Sequence, residues 1–433
     1  MAPHIVPVQT SRSFPASTTV VIIGGGIVGL TAALTLSERG IPVVLLEKGK
    51  LAAEQSSRNQ GWVRKTSRFA MDLPMAVESD RLWAAMPERV GADVGYRQTG
   101  VMFLASSEAE MAAHESWHTS VESFALGSQL LSGADIERLA PGGRGAWAGG
   151  LYTPSDGRAE PSLASSAIAN AAIRKGAVIV ENCAVRTLSF TAGKVSGVVT
   201  EAGEIRCEQV LLAGGMGSRR FLGNLGVDLP ILPLVLSVIR TAPIAGPTEI
   251  AVGGPDFSFR KRADGGYTIT QRGALQAPLT LDSLLLGRRY LPALRYQRHA
   301  LRMSLGRDFM QDLMTARRWK GTSTSPFEKV RTIDPPVNHG INAEAMRNVS
   351  RAWPAFAEAT IAESWAGMMD ITPDSLPVVG PVAKLPGLTL ATGFSGHGFG
   401  TAPCAGALAA DLLTGADPII DPAPYRLERF FPG

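Results

Sequence analysis

The chain has 433 residues, of which 45% are hydrophobic and 18% charged; at roughly 150 residues per domain this fits two or three domains and excludes intrinsic disorder. Forty-two Lys+Arg stand against 38 Asp+Glu, a formal charge of +4, and without clustering this excludes a nucleic-acid footprint. Three widely spaced cysteines, Cys183, Cys207 and Cys404, exclude a disulfide scaffold and a thiolate metal site, and suit a reducing cytoplasm, the predicted location.

The N-terminal segment is polar and Pro-containing, without the apolar core of a secretory signal. Residues 18–49 read as a buried strand over 18–23, a glycine turn, a helix over about 27–39, and a second buried strand over 42–47. Continuous Val/Ile/Leu runs of this kind suit parallel strands covered on both faces. Residues 94–155 carry alternating segments such as GYRQTGVMFLA, expected of antiparallel strands with one wet face. From about 160 a helix (162–175), a strand AVIVENCAVRTLSF, a hairpin KVSGVVTEAGEIRCE and a buried strand QVLLAGG follow. Alternation returns over 226–345, in LPLVLSVIRTAP and FSFRKRADGGYTITQR. Within it, 280–318 places Leu, Tyr and Met at three- and four-residue steps and predicts a long, internally packed helical stretch. Residues 376–415 predict a strand at LTLATG, a glycine-rich turn and a helix of small residues. No window holds ~20 uninterrupted apolar residues, so no membrane-spanning helix is predicted.

These elements predict an α/β fold with a Rossmann-like domain built discontinuously from 15–90, 155–225 and 350–430. A second, α+β domain on a mixed antiparallel sheet is expected from 91–154 and 226–349, lying over the first domain's ligand.

Gly24-Gly25-Gly26-Ile27-Val28-Gly29 is a GxGxxG match between a predicted strand and a predicted helix, the context that gives it meaning. Gly24 permits the tight turn, Gly26 lets a diphosphate approach, and Gly29 lets helix and strand pack closely. The helix start at Ile27 and Val28 then presents N–H groups to phosphate. Glu47 ends the second strand 18 residues after Gly29, followed by Lys48. Its carboxylate suits ribose hydroxyls and repels a 2′-phosphate. The motif does not choose between FAD and NAD.

Further blocks resemble the FAD-dependent amine and D-amino-acid oxidoreductase family. They are GGGIVGL with Glu47; Ser56-Ser57-Arg58-Asn59-Gln60-Gly61; GGLYTPSDGRAEPSLASSAI; LLAGGMGS, with Gly214 and Gly215; Trp365-Ala366-Gly367; Thr372-Pro373-Asp374; and Gly393-Phe394-Ser395-Gly396-His397-Gly398-Phe399-Gly400. The resemblance covers nearly the whole chain and implies FAD. Ser56, Ser57, Gln60 and Gly61 are then expected beside the diphosphate or flavin edge, and Val185 against adenine. The turn from Gly393 to Thr401 is expected to meet the flavin's pyrimidine carbonyls, where N–H donors stabilise the charge of reduction. Where some relatives carry a flavin-attaching cysteine, this chain has Gly367, Met368 and Met369, which implies non-covalent FAD.

The resemblance also implies hydride transfer from a C–H bond beside an amine nitrogen to the flavin. The resulting imine hydrolyses, and O2 or another acceptor takes the electrons. The expected partner is a small amine or amino-acid substrate. A lysine that speeds reaction with O2 in some relatives is replaced here by Thr268 or Ile269. Candidates for substrate contact are Arg64, with Trp62 and Arg68 near it, then Tyr267, Arg272 and His397; an arginine suits a substrate carboxylate. A 2-hydroxy-acid flavin oxidoreductase is the alternative within this fold. Another class is raised by His114-Glu115-Ser116-Trp117-His118, an HExxH match of the zinc-hydrolase kind, read here as a solvated helix.

Overall fold

The computed structural model describes residues 3–297 and 300–431. The first motif folds as the sequence predicts: β1 (Val20–Ile23), α1 (Ile27–Glu38) and β2 (Val43–Leu46). Val20–Ile23 pairs in parallel with Val43–Leu46. Helix α1 is buried from Ile27 to Ser37, so its polar members Thr31, Thr35 and Ser37 turn their hydroxyls back onto carbonyls one turn earlier. Gly29 is required at this crossing, because a Cβ there would lie 2.3 Å from the Gly24 carbonyl oxygen.

The chain continues through α2 (Gln55–Arg58), β3 (Trp62–Val63), α3 (Leu73–Val90), β4 (Val101–Ala105), α4 (Glu108–Ser120), β5 (Gln129–Leu131), α5 (Gly133–Leu139), β6 (Gly149–Thr153) and β7 (Gly157–Arg158). Then come α6 (Pro161–Arg174), β8 (Val178–Val180), β9 (Val185–Thr191), β10 (Lys194–Thr200), β11 (Gly203–Arg206), β12 (Gln209–Leu212) and α7 (Gly217–Asn224). The strand predicted over AVIVENCAVRTLSF is two strands in two sheets. Asn182, in the left-handed region at φ 54°, turns the chain between β8 and β9.

The remaining elements are β13 (Leu232–Thr241), β14 (Ala251–Gly253), β15 (Ser258–Lys261), β16 (Tyr267–Thr270), β17 (Leu275–Pro278), α8 (Leu281–Gln297), β18 (Leu301–Ser304), α9 (Arg307–Met314), α10 (Pro326–Lys329), α11 (His339–Ala352), β19 (Ile361–Ile371), β20 (Val378–Pro381), β21 (Leu388–Thr392) and α12 (Gly398–Thr414). The predicted long helix over 280–318 is thus two helices flanking a short strand, with positions 298–299 outside the described residues. Residues 301–304 pair in parallel with β17. Only part of this segment packs internally: Leu286 and Tyr290 are buried, whereas Leu284, Leu285, Leu291, Met303, Leu305, Met310, Leu313 and Met314 are exposed.

Two sheets position the site. One has six strands in the order β20-β21-β12-β1-β2-β8, parallel except for β20. Helices α1, α3, α6 and α12 share one core with this sheet. The other is a ten-stranded mixed sheet, β18-β17-β13-β16-β15-β14-β4-β6-β5 with β19 on β13. The stretch 350–430 is therefore divided, not wholly part of the Rossmann-like unit: β19 pairs along nearly its whole length with β13, while β20 and β21 join the parallel sheet. Among the described residues no helix is long and apolar enough to cross a membrane.

Gly29→Ala should destabilise the fold by about 1–3 kcal/mol, the usual cost of forcing atoms into a packed contact. A thermal melt shows it as a lowered Tm; an unchanged Tm would mean that α1 can retreat from the Gly24 carbonyl.

Candidate active site

A cavity of about 570 Å³ runs between the two sheets. At one end lies the first glycine turn. Gly24 holds φ +113°, a conformation open to glycine, and Gly26 borders the cavity. The Glu47 carboxylate braces the turn from β2: Oε2 accepts the Gly25 N–H at 2.8 Å and Oε1 the Gly49 N–H at 2.7 Å. Burial pushes the Glu47 pKa up, against those hydrogen bonds and Lys48. Ser56 Oγ accepts the Ile27 N–H at 2.9 Å, which ties α2 to the start of α1. Beside Glu47, Cys183, Val185, Leu212, Phe221 and Phe327 form an apolar slot suited to a flat base.

At the other end stands the turn before α12, with Gly396, His397, Gly398, Phe399 and Gly400 on the cavity wall. The segment after β3 brings in Arg64. It is anchored by the buried Asp156, which accepts the Lys65 N–H at 2.8 Å, the Thr66 N–H at 3.1 Å and the Thr66 hydroxyl. Arg272 follows β16. Both guanidinium groups lie against the Phe103 ring of β4, with Cζ 5.5 Å from the centroid for Arg64 and 4.6 Å for Arg272. Arg64 donates to the Thr66 carbonyl and Arg272 to the Gly254 carbonyl at 2.9 Å. Burial pulls Arg64 down to about 9, with Arg68 adding repulsion, and Arg272 down to about 10. Burial, then Arg68 and Arg64, hold the His397 imidazole well below its usual pKa, so it is neutral.

Gly24, Gly26, Ile27, Val28, Glu47, Lys48, Ser56, Gln60, Gly61, Val185, Gly214, Gly215, Gly396, His397, Gly398, Phe399, Gly400, Arg64 and Arg272 all border this one cavity. Lys48 does so with its ammonium already held by Glu54 at 2.7 Å and the Arg331 carbonyl at 2.9 Å. Others lie behind the wall. Gly29 packs on the turn. Ser57 bonds back to the Glu54 carbonyl and Thr401 to the His397 carbonyl, and the Gly393 N–H is taken by Asp370.

Tyr267 is a correction. Strand alternation sends it to the far face of the large sheet, where it packs on Phe259 and Phe356 and donates to the Thr248 carbonyl. Ile269 shares that apolar core; Thr268 and Ile269 are both buried and stand off the cavity wall. Arg68 is not free either, being paired with Asp72 at 2.7 Å. On α4, His118 Nε2 is satisfied by the Ser128 carbonyl at 2.9 Å. Among the described residues no three His, Cys, Asp or Glu side chains are grouped to hold a metal.

Sequence reasoning missed Phe103, Asp156 and Asp370. Phe103 sits in a plain apolar strand and Asp370 between ordinary strand residues, so neither carried a local signal. Asp156 stood inside the quoted SDG block, where its partners ninety residues upstream could not be seen.

Does FAD fit these residues? Three buried polar atoms on the cavity wall, Arg58 Nη2, Trp62 Nε1 and Asp370 Oδ1, have no partner in the protein. They match a ligand with its own hydrogen-bonding groups. The braced glycine turn fits the diphosphate, and the polar bend before α12 fits the ring.

A parallel sheet ending in a glutamate-braced glycine turn, facing a second glycine bend across a long cavity, defines a dinucleotide-binding oxidoreductase. The model of the FAD dependent oxidoreductase family matches residues 19–412, and the chain belongs to that family. It is 25% identical to glycine oxidase from Geobacillus kaustophilus over 95% of this chain and 96% of that protein. To glycine oxidase from Pseudomonas putida it is 27% identical, over 94% and 98%. The solved structure of L-amino acid deaminase from Proteus myxofaciens, in complex with anthranilate, superposes with a TM-score of 0.96 and 32% identity, covering 100% of this chain and 97% of that one. The chain is an FAD-dependent enzyme; neither the zinc-hydrolase nor the 2-hydroxy-acid alternative is favoured by these relatives.

Gly26→Val should abolish FAD retention. Even a bare Cβ there would sit 3.1 Å from Ser56 Oγ, and a branched side chain would fill the diphosphate's approach. Flavin absorbance per protein after gel filtration measures this; a variant carrying full flavin would remove the turn from the cofactor site.

Proposed function

We propose that this enzyme oxidises the C–N bond of an α-amino acid whose carboxylate is held by Arg64 and Arg272. One observation carries the reading. Among the described residues, two half-buried guanidinium groups share one aromatic ring at the cavity end, and neither has a carboxylate within ion-pairing distance. A cation partly removed from water without a counter-ion is disfavoured, and an incoming carboxylate relieves both. The relatives named for glycine and for L-amino acids support the same substrate class.

Bound FAD supplies the acceptor for the hydride on the carbon beside the amine nitrogen. The chain's part is orientation. Arg64 and Arg272 fix the carboxylate, and Phe103 keeps their planes in place. Trp62, Leu236, Leu275 and Met368 give the substrate side chain an apolar wall. His397, neutral at physiological pH, accepts a hydrogen bond from the amine rather than adding a third cation. The substrate imine reacts with water and hydrolyses to a keto acid and ammonia. Electrons pass on to O2 or another acceptor, and hydrogen peroxide formed per keto acid distinguishes the two. Cys183, Cys207 and Cys404 are buried and free, which supports a reducing cytoplasm.

Arg272→Met should raise KM for the amino acid about 10–100-fold, the scale of a lost charge-assisted hydrogen bond, with FAD content unchanged. An amine lacking the carboxylate should be oxidised equally by both forms. Unchanged KM for the amino acid would remove Arg272 from the substrate site.

The FAD is held without a covalent bond. Of the cysteines only Cys183 borders the cavity, beside Val185 at the end away from His397. Acid precipitation should release all flavin into the supernatant; yellow pellet would contradict this.

A further inference from the structure

Asp370 lies on β19, on the cavity wall between the two glycine turns. It is 1% exposed. Oδ2 accepts the Gly393 N–H at 2.8 Å, with the Thr392 hydroxyl at 3.5 Å. The Gln55 side chain also reaches the carboxyl. Oδ1 is buried without any partner, and among the described residues no Lys or Arg pairs with Asp370. Burial pushes its pKa up to about 6, so at neutral pH the ionised form prevails. An ionised carboxylate only accepts hydrogen bonds. An empty buried acceptor costs about 1–3 kcal/mol or more, and the missing donor has to come from whatever fills the cavity.

The surroundings identify that donor. Gln55 precedes Ser56, which holds the Ile27 N–H at the diphosphate turn. Gly393 opens the bend that leads to Gly396–Gly400 at the ring. Asp370 thus stands between the place for the phosphates and the place for the ring. In FAD the piece between them is a ribityl chain with three secondary hydroxyls, each able to donate. Phosphate oxygens are anionic acceptors and would repel the carboxylate.

We propose that Asp370 Oδ1 accepts a hydrogen bond from a ribityl hydroxyl of FAD, making Asp370 a positioning residue that couples the cofactor's chain to the Gly393 bend. The inference rests on FAD dependence and not on the choice of substrate.

The test is a binding cycle on apoprotein, followed by quenching of flavin fluorescence and independent of turnover. Wild type, Asp370→Ala and Asp370→Asn are each titrated with FAD and with its 2′-, 3′- and 4′-deoxyribityl analogues. Wild type should bind one analogue about 10–100-fold more weakly than FAD. In Asp370→Ala that difference should shrink to within about twofold, as both arms then lack the bond. Circular dichroism checks folding, and Asp370→Asn carries the same comparison if the alanine variant does not fold. Equal wild-type affinity for FAD and all three analogues, or an analogue penalty that persists undiminished in the variants, overturns the proposal.

Discussion

The first and last helices of the chain are pressed together, and the site depends on that contact. Gly406 of α12 meets Thr31 and Ala32 of α1 so closely that a Cβ would lie 2.7 Å from Thr31 Cβ. Helices approaching this closely have little freedom to slide. Both N-terminal ends therefore open onto the same cavity: Ile27 and Val28 from α1, Gly398 to Gly400 from α12. Helix N-termini carry partial positive charge and free N–H groups. An elongated anionic cofactor can then lie across both. Residues more than 350 positions apart in the chain become two ends of one binding surface.

Around that surface the protein keeps several polar groups dry. Each case is resolved differently. Glu47 spends both oxygens on backbone N–H groups. Arg58 is buried and donates through Nε and Nη1 to Asp334 and to two carbonyls, with Nη2 left without a partner. Asp156 is buried and saturated by Lys65 and Thr66. Among the described residues, Arg64 and Arg272 are left without a counter-ion at one end, and Arg58 Nη2, Trp62 Nε1 and Asp370 Oδ1 on the same wall without a hydrogen-bond partner. Most structural polar groups in a protein interior are satisfied within it. Unsatisfied ones on a cavity wall belong to the chemistry of what enters, which separates the roles of Asp156 and Arg64 although they lie in the same neighbourhood.

The sequence revealed most where local rules govern. The buried strands, the glycine turn, the helix and Glu47 follow from runs and spacing within 30 residues, and fold as expected. The bend before α12 was readable for the same reason. Tyr267 was misplaced because alternation defines two faces without saying which one meets the cavity; partners on Phe259 and Phe356 decide it. The segment 280–318 misled differently. Its Leu and Met spacing fits a helix, yet residues 301–304 find a partner in β17, a tertiary choice that periodicity does not encode. Asp370 was invisible because its neighbours Gly393 and Gln55 come from distant parts of the chain.

The division of labour between the sheets follows from these placements. The cavity ends that fit the cofactor are lined chiefly by β1, β2, β12 and the ends of α1 and α12, where glycine backbone faces the cavity. In the proposed substrate site the side chains come from β4 and from the residues after β3 and β16. Backbone recognition tolerates side-chain change, whereas the roles proposed for Arg64, Arg272 and Phe103 rest on their side chains alone. Substitution along the large sheet can therefore alter the substrate while leaving the dinucleotide turn intact. Relatives named for glycine and for L-amino acids share this architecture, so specificity is to be sought around the Phe103 ring rather than in the glycine motifs.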